Sequence, residues 1–431
     1  MAEVDTEGAA VPAVRRAARR VAVASIVGTT MEFYDFTIYG LASALVFGDV
    51  FFPAVSPSVG VLSSFATFGV GFLARPLGGI LFGHLGDRIG RKKVLVATLL
   101  MMGGATVLIG CLPSFGTIGF WAPTLLVLLR LAQGLAYGGE WGGAVLMSFE
   151  HVPPQRRGFF ASLPQTGLSA GSILGNLAFL LVALLPDPQL QSWGWRIPFW
   201  LGAVLVVIGL VVRRRVEESP EFRRTVEADD VPAAPLRAVI RSHPRQILLA
   251  AGVMAGISVG TYVTITYSIS FAGGLGVEHW KVLLAILVSN VLQLVMVPLA
   301  GALSDRYGRR AVFLTGIAVW ALLSLGFLPA VSTGLLPVVL VAYLVPYGIG
   351  YALTQGPTPA MFAEAFDSRV GYSGISLGFQ LGNLVGGFAP FLAALVYEAV
   401  GEAVLGVCVC VLLLLAGVSA SALVRLAPAA R

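Results

Sequence analysis

The side chains best placed for proton chemistry are two carboxylates inside an apolar run. In the stretch "GTTMEFYDFTIYG", Gly28, Glu32, Asp35 and Tyr39 follow one another at offsets of four, three and four, one stripe of a helix, with Met31, Ile38 and Ala42 facing away. A second stretch, "RLAQGLAYGGEWGG", puts Arg130, Gln133, Tyr137 and Glu140 on a stripe by the same spacing. Arg130 and Glu140 are about 15 Å apart along a helix, so each needs a partner elsewhere. The complement expected for Arg130 is Glu32 or Asp35. A buried carboxylate that a movable guanidinium approaches and leaves can load and release a proton as its surroundings alternate. The competing reading is a static ion pair that pins two helices. Arg75, in "FLARPLGG", either snorkels toward the membrane surface or meets a substrate, and Glu140, flanked by glycine pairs, either packs helices or takes part in proton coupling.

Such residues require elements that cross a membrane. The chain has 431 residues, 57% of them hydrophobic and 12% charged, with 52 glycines, against about 25% charged for an ordinary soluble domain. Apolar segments long enough to span about 30 Å of hydrocarbon are expected near 21–45, 58–83, 93–112, 121–148, 158–185, 195–212, 246–271, 279–301, 310–330, 335–357, 372–397 and 401–424. The expected fold is therefore all-α and integral to the membrane, with twelve transmembrane helices. "LASA" imitates a secretory cleavage site, but the first segment is too long and its middle too acidic for a signal peptide. An ionisable group at the bilayer centre costs at least about 2.5 kcal/mol, which marks Glu32, Asp35, Arg75, Arg130 and Glu140 as functional candidates.

Basic residues cluster at every second break: "RRAARR", "DRIGRKK", "QRRG", "RRRVEESPEFRR", "DRYGRR", Arg369, Arg425 and Arg431. By the positive-inside bias both termini are expected in the cytoplasm of a cell membrane protein, and the net charge of +6 reads as topology rather than nucleic-acid binding. Cys111, Cys408 and Cys410 have neither disulfide nor metal spacing. His84, His151, His243 and His279 form no cluster. No enzyme signature, metal site or cofactor motif is present.

The polar stretch 213–245 divides the spans six and six. The expected organisation is a cytoplasmic tail 1–20, a six-helix bundle 21–212, the linker 213–245, a second bundle 246–424 and a tail 425–431. "GHLGDRIGRKK" after the second span returns as "GALSDRYGRR" after the eighth, with Asp87 and Asp305 separated by 218 residues (305 minus 87). "EHVPPQRRG" from Glu150 is echoed by "EAFDSRVG" from Glu364. Two echoes at a similar period imply a duplicated six-helix unit, one of the known transporter plans.

Over essentially its whole length the chain resembles the major facilitator superfamily. That resemblance implies a conformational latch at Gly83, Asp87, Arg88, Gly90 and Arg91, and in the second copy at Gly301, Asp305, Arg306 and Gly308. It also implies a proton-transfer role for the Arg-x-x-Gln-Gly motif that Arg130 opens. "GTTMEFYDFTIYG", "FLARPLGG", "RLAQGLAYGGEWGGA", "EHVPPQRRG" and "WGWRIPFWLG", in that order, resemble the metabolite:proton symporters, carriers of proline and betaine, 2-oxoglutarate, citrate and shikimate. Sugar porters are the nearest rival. The linker "EESPEF" lacks their Pro-Glu-Ser-Pro-Arg form.

The second half offers only neutral polar residues at membrane depth: Tyr262, Thr264, Thr266, Tyr267, Asn290, Gln293, Tyr347, Tyr351, Gln355, Gln380 and Asn383. They either hydrogen-bond a polar solute or pack helices. A substrate carboxylate is expected on Arg75 or Arg130, whose guanidinium offers a bidentate fork, with Tyr39, Gln133, Tyr137, Tyr267, Asn290, Gln293, Gln355 and Gln380 as further binding candidates. The function expected is proton-coupled import of a small organic acid by a monomer in the lipid bilayer, with protons and the small molecule as its partners. A zwitterion held by Tyr34, Tyr39 or Trp141 through cation–π contact is the alternative substrate; an exporter or a metabolite sensor are the alternative functions.

Overall fold

A computed structural model describes residues 6–53, 56–89, 91–138, 154–214, 235–366 and 371–426, with the backbone alone for 6–25, 57–58, 83–89, 91–95, 154, 212–214, 235–238 and 371–372. Its twelve long helical segments are α1 (Thr6–Leu45), α2 (Pro57–Ile89), α3 (Arg91–Cys111), α4 (Trp121–Tyr137), α5 (Arg157–Val182) and α6 (Arg196–Arg214) in the first half. The second half contributes α7 (Pro244–Gly274), α8 (His279–Tyr307), α9 (Arg309–Ser332), α10 (Leu336–Ala365), α11 (Ser373–Val400) and α12 (Glu402–Leu426). The described part of α1 reaches back to Thr6, inside the stretch read as a tail, through the Ala- and Arg-rich "AAVPAVRRAARR". Part of the expected linker is also helical, over Pro235–Ser242.

The two halves repeat one packing scheme. In the first, α1 lies against α5, α2 against α4 and α3 against α6; in the second, α7 lies against α11, α8 against α10 and α9 against α12. The seam between α1 and α5 is built on Gly167, Gly171 and Gly175. A Cβ at Gly167 would stand 2.7 Å from Ile26 O, one at Gly171 would strike Thr30 O, and one at Gly175 would stand 2.9 Å from Thr37 Cβ. The seam between α7 and α11 uses Gly378, Gly382 and Gly386, each 211 residues later (378 minus 167), against Ala250, Ala251 and Ser258. Such stripes let backbones touch where lipid supplies no hydrophobic drive between helices. α2 and α4 meet through Gly71 against Gly134 and Gly79 against Gly138. These contacts bring the polar stripes of α1 and α4 together.

The halves join along α5 with α8 and α2 with α11. Hydrogen bonds cross this interface at several levels. Near one end Ser270 Oγ donates to Ala44 O at 2.9 Å. Deeper in, Ser169 Oγ donates to Gln293 Oε1 at 3.2 Å and Gln165 Nε2 to Gln355 Oε1 at 3.3 Å. At the end that carries the basic breaks, the amides of Gly158 and Phe159 donate to Asp305. Both ends are thus bridged in one state. Two spans widen into π turns, α7 over Val263–Tyr267 and α10 over Leu344–Tyr351, a distortion concentrated at functional regions.

Candidate functional site

The two polar stripes read from the sequence meet in a buried network among α1, α3 and α4. Asp35, 3% exposed, accepts from Gln133 Nε2 at 2.7 Å and Tyr137 OH at 3.2 Å through Oδ2, and from the Thr106 hydroxyl through Oδ1. Gln133 Nε2 also donates to Thr106 at 2.9 Å, and Tyr137 OH shares its proton with Glu32 O at 2.9 Å. Arg130 Nη1 donates to Gln133 Oε1 at 3.1 Å. The expected direct pairing of Arg130 with Asp35 is therefore replaced by a relay through Gln133, one turn along α4 from Arg130, whose amide fits between the two charges. Glu32 is buried beside this network.

Both arginines are held by aromatic faces. The Arg75 guanidinium sits 4.2 Å from the Phe36 ring centre and 3.9 Å from that of Phe72. Arg130 lies 4.1 Å over Tyr39 and 5.0 Å from Phe36. Arg75 is 4% exposed and Arg130 1%, so Arg75 does not snorkel. Among the described residues, Nε and Nη2 of each have no hydrogen-bond partner. A guanidinium with covered faces and open edges takes an anion in its own plane, bidentately. Tyr39 donates to Thr67 at 2.9 Å and Tyr34 to Pro198 O at 2.5 Å.

A separate central cavity opens at the junction of the halves. Phe33, Phe36 and Thr37 of α1, Ser169, Ser172 and Asn176 of α5, Thr261, Tyr262 and Thr266 of α7, Gln293 of α8, and Tyr347 and Tyr351 of α10 line it. None of these is charged. Of the neutral polar residues named from sequence, Tyr262, Thr266, Gln293, Tyr347 and Tyr351 line the cavity. Asn290 stands behind, accepting from Tyr347 OH at 3.2 Å; Gln355 meets Gln165; Gln380 is buried in α11 with Oε1 unpartnered. Tyr267 faces Phe65, Phe271 and Tyr397 instead, because the π turn that it closes shifts the helical register. Ser169, Ser172 and Asn176 were missed. Their signal is the polar residues interleaved with the α5 glycines in "TGLSAGSILGN". Thr106, one of two threonines in apolar α3, had no sequence signal. Glu140 and Trp141 lie outside the described residues.

The sequence profile of the Major Facilitator Superfamily matches residues 25–390 and again 281–431. The chain belongs to that superfamily. Among curated superfamily relatives, the inner membrane metabolite transport protein YhjE of Escherichia coli is 42% identical over 385 residues, covering 87% of each chain. The shikimate transporter of Escherichia coli is 41% identical over 88% of this chain and 87% of its own. The proline/betaine transporter of Salmonella typhimurium is 35% identical over 88% of this chain and 78% of its own. A crystal structure of a D-xylose-proton symporter shares the fold at a TM-score of 0.72 and 18% identity, over 95% of this chain and 98% of that one. The protein is thus a secondary transporter with the superfamily's two pseudo-symmetric six-helix bundles.

The superfamily's repeated loop motif can be followed in its second copy. Asp305 accepts from Gly158 N at 2.8 Å and Phe159 N at 3.0 Å, across the two halves. These are amides of the first turn of α5, which have no partner within their own helix. Arg309 ties the group together, donating to Asp305 at 2.6 Å and to Glu364 at 3.1 Å. Arg306, chosen from sequence, instead lies at the surface over Tyr307; Arg309, the first residue of α9 beyond the turn at Gly308, pairs with Asp305 in its place. Gly301 packs where a Cβ would stand 2.5 Å from Ser162 Oγ, and Gly308 turns the chain at φ 89°. In the first copy Gly90 and the side chains at Gly83, Asp87, Arg88 and Arg91 lie outside the described residues.

Proposed function

We propose that the protein is a proton-coupled symporter that imports a small organic acid by rocking its two bundles about the central cavity. The observation that carries this reading is the Asp35 network: a buried carboxylate surrounded by neutral donors, next to two guanidiniums whose edges lack hydrogen-bond partners. The hydroxyls of Thr106 and Tyr137 can accept as well as donate, so this shell tolerates Asp35 in either protonation state. Protonation of Asp35 leaves guanidinium charge to be met by an incoming carboxylate. Neutral cavity residues such as Gln293, Asn176 and Ser172 then bind the rest of the solute. The basic breaks support placing both termini and the Asp305 contact on the cytoplasmic side, with the chain acting as a monomer.

The shikimate transporter among the relatives favours an acid. A zwitterionic osmolyte fits less well, because the Tyr39 face already holds Arg130 and Tyr34 is turned to Pro198. The test is uptake into proteoliposomes under an imposed inward proton gradient, with shikimate, 2-oxoglutarate, citrate, proline and betaine as solutes. Wild type is expected to concentrate an acid. Asp35→Asn is expected to lose uphill accumulation and keep exchange of the same solute across the membrane. Unchanged accumulation in Asp35→Asn removes the assignment, and uptake confined to betaine or proline replaces the substrate class.

A further inference from the structure

The charged network and the cavity share one wall. Phe36, 4% exposed, lines the cavity, and its ring carries Arg75 at 4.2 Å and Arg130 at 5.0 Å. The ring is wedged at 4.5 Å from Tyr137 and 5.5 Å from Phe72, both of which also flank Arg75. The cavity lining itself is uncharged. Phe36 thus lines the cavity and touches both guanidiniums, with Tyr262 beside it in the lining, packed on Phe68 and Phe72.

We propose that Phe36 is the partition that keeps the proton-bearing network out of contact with the cavity until a substrate displaces its ring. The inference rests on the reading of Asp35 as the proton carrier and adds how that proton is kept from crossing alone. A carrier whose carboxylate exchanged freely with a wet cavity would change sides loaded and empty alike, and so would dissipate the gradient. The aromatic ring does two things against this. It excludes water from the guanidiniums, which strengthens every interaction among the charges behind it, and it offers them a π face in place of solvent. A substrate that brings its own carboxylate can replace that face with a stronger, in-plane contact at Nε and Nη2, so the wall opens only when something pairs the charge.

The experiment needs no knowledge of the substrate, because its probe is the proton. Full-length protein is reconstituted into vesicles containing a pH-sensitive dye, and proton entry is followed under an imposed pH gradient with potassium and valinomycin clamping the potential and no solute added. Phe36→Ala, and Phe36→Leu, which keeps most of the volume, are each expected to raise the substrate-free leak about tenfold or more, and Phe36→Tyr to stay near wild type. Asp35→Asn added to either leaky variant should return the leak to background. A leak that stays at wild-type level in both Phe36→Ala and Phe36→Leu overturns the partition. So does a leak that survives Asp35→Asn, since it then comes from loosened packing. Failure of the underlying symport reading shows elsewhere, as proton-driven uptake that persists in the Asp35→Asn single variant.

Discussion

Replacing Asp305 with alanine removes the charge that joins the halves at the basic end. Asp305 makes two hydrogen bonds across the interface, to Gly158 N at 2.8 Å and Phe159 N at 3.0 Å, and its side chain is 10% exposed. A hydrogen bond to a charged group contributes about 1.5 to 3 kcal/mol. The lower value applies to each, because the freed amides regain water once that end opens. Their sum, about 3 kcal/mol, corresponds to a population shift of roughly 100-fold toward the state open at this end. Asp305→Asn keeps one neutral acceptor and should shift it about tenfold. Arg309 retains Glu364, within its own half, and does not compensate. The assay is the rate of alkylation of a cysteine at Ser162, which is 0% exposed and packed beneath Gly301, in a background with Cys111, Cys408 and Cys410 replaced by serine. The rate should rise by the same factors. A second cysteine at Ser270, near the opposite end, should react no faster. An unchanged rate at Ser162, or an equal rise at both positions, refutes the latch: the first says the bonds do not hold the interface, the second that the protein has simply loosened.

Further outcomes follow from other contacts. Gly134→Ala places a methyl on Gly71 O, a backbone clash that rotamer change cannot relieve; it should destabilise the fold by about 3 kcal/mol or more, seen as lower thermal stability in detergent. Gln133→Leu cuts the link between Arg130 and Asp35 and leaves Asp35 with fewer donors; gradient-driven uptake should fall at least tenfold, while Gln133→Glu should shift the pH profile of whatever uptake remains. Asn176→Ala removes a buried, unpartnered acceptor oxygen on a residue that lines the cavity, and should raise the KM for a hydroxylated acid with less effect on kcat. At the surface, hydrogen bonding and charge from Lys281, 2.8 Å away, hold the Glu278 carboxyl below its ordinary range. The stabilisation from this pair is present above the ordinary carboxylate range and is lost as pH falls through the depressed value, so thermal stability of Glu278→Gln should match wild type from pH 5 to 8 to within the small effect of an exposed pair.

Helix number, the duplicated plan and the meeting of the α1 and α4 stripes were all legible, because each depends on periodicity along single helices. Asp35, Gln133 and Tyr137 converge as their spacing required. What spacing cannot carry is the third body. Thr106 reaches Asp35 from α3, and only the packing of α3 against α4 brings it there. The partner of Arg130 differs for a related reason: its guanidinium was expected to meet Glu32 or Asp35 directly, yet Gln133 accepts from it and Phe36 and Tyr39 cover its faces. In the second half, counting by 3.6 fails after Val263, where the π turn intervenes, and Tyr267 falls on the wrong side. The arginine that pairs with Asp305 was not legible by helical spacing either, since the chain leaves α8 at Tyr307 and turns at Gly308 before Arg309 opens α9.

The matched glycine seams also bear on how the chain is made. α1 and α5 both lie within the first 182 residues, and α7 and α11 both lie beyond residue 243. Each backbone-on-backbone seam can therefore close using residues from its own half. The first bundle can be assembled in the bilayer while the second is still being synthesised, and breaking the chain between residues 215 and 234 should leave two fragments that fold separately and dock when expressed together.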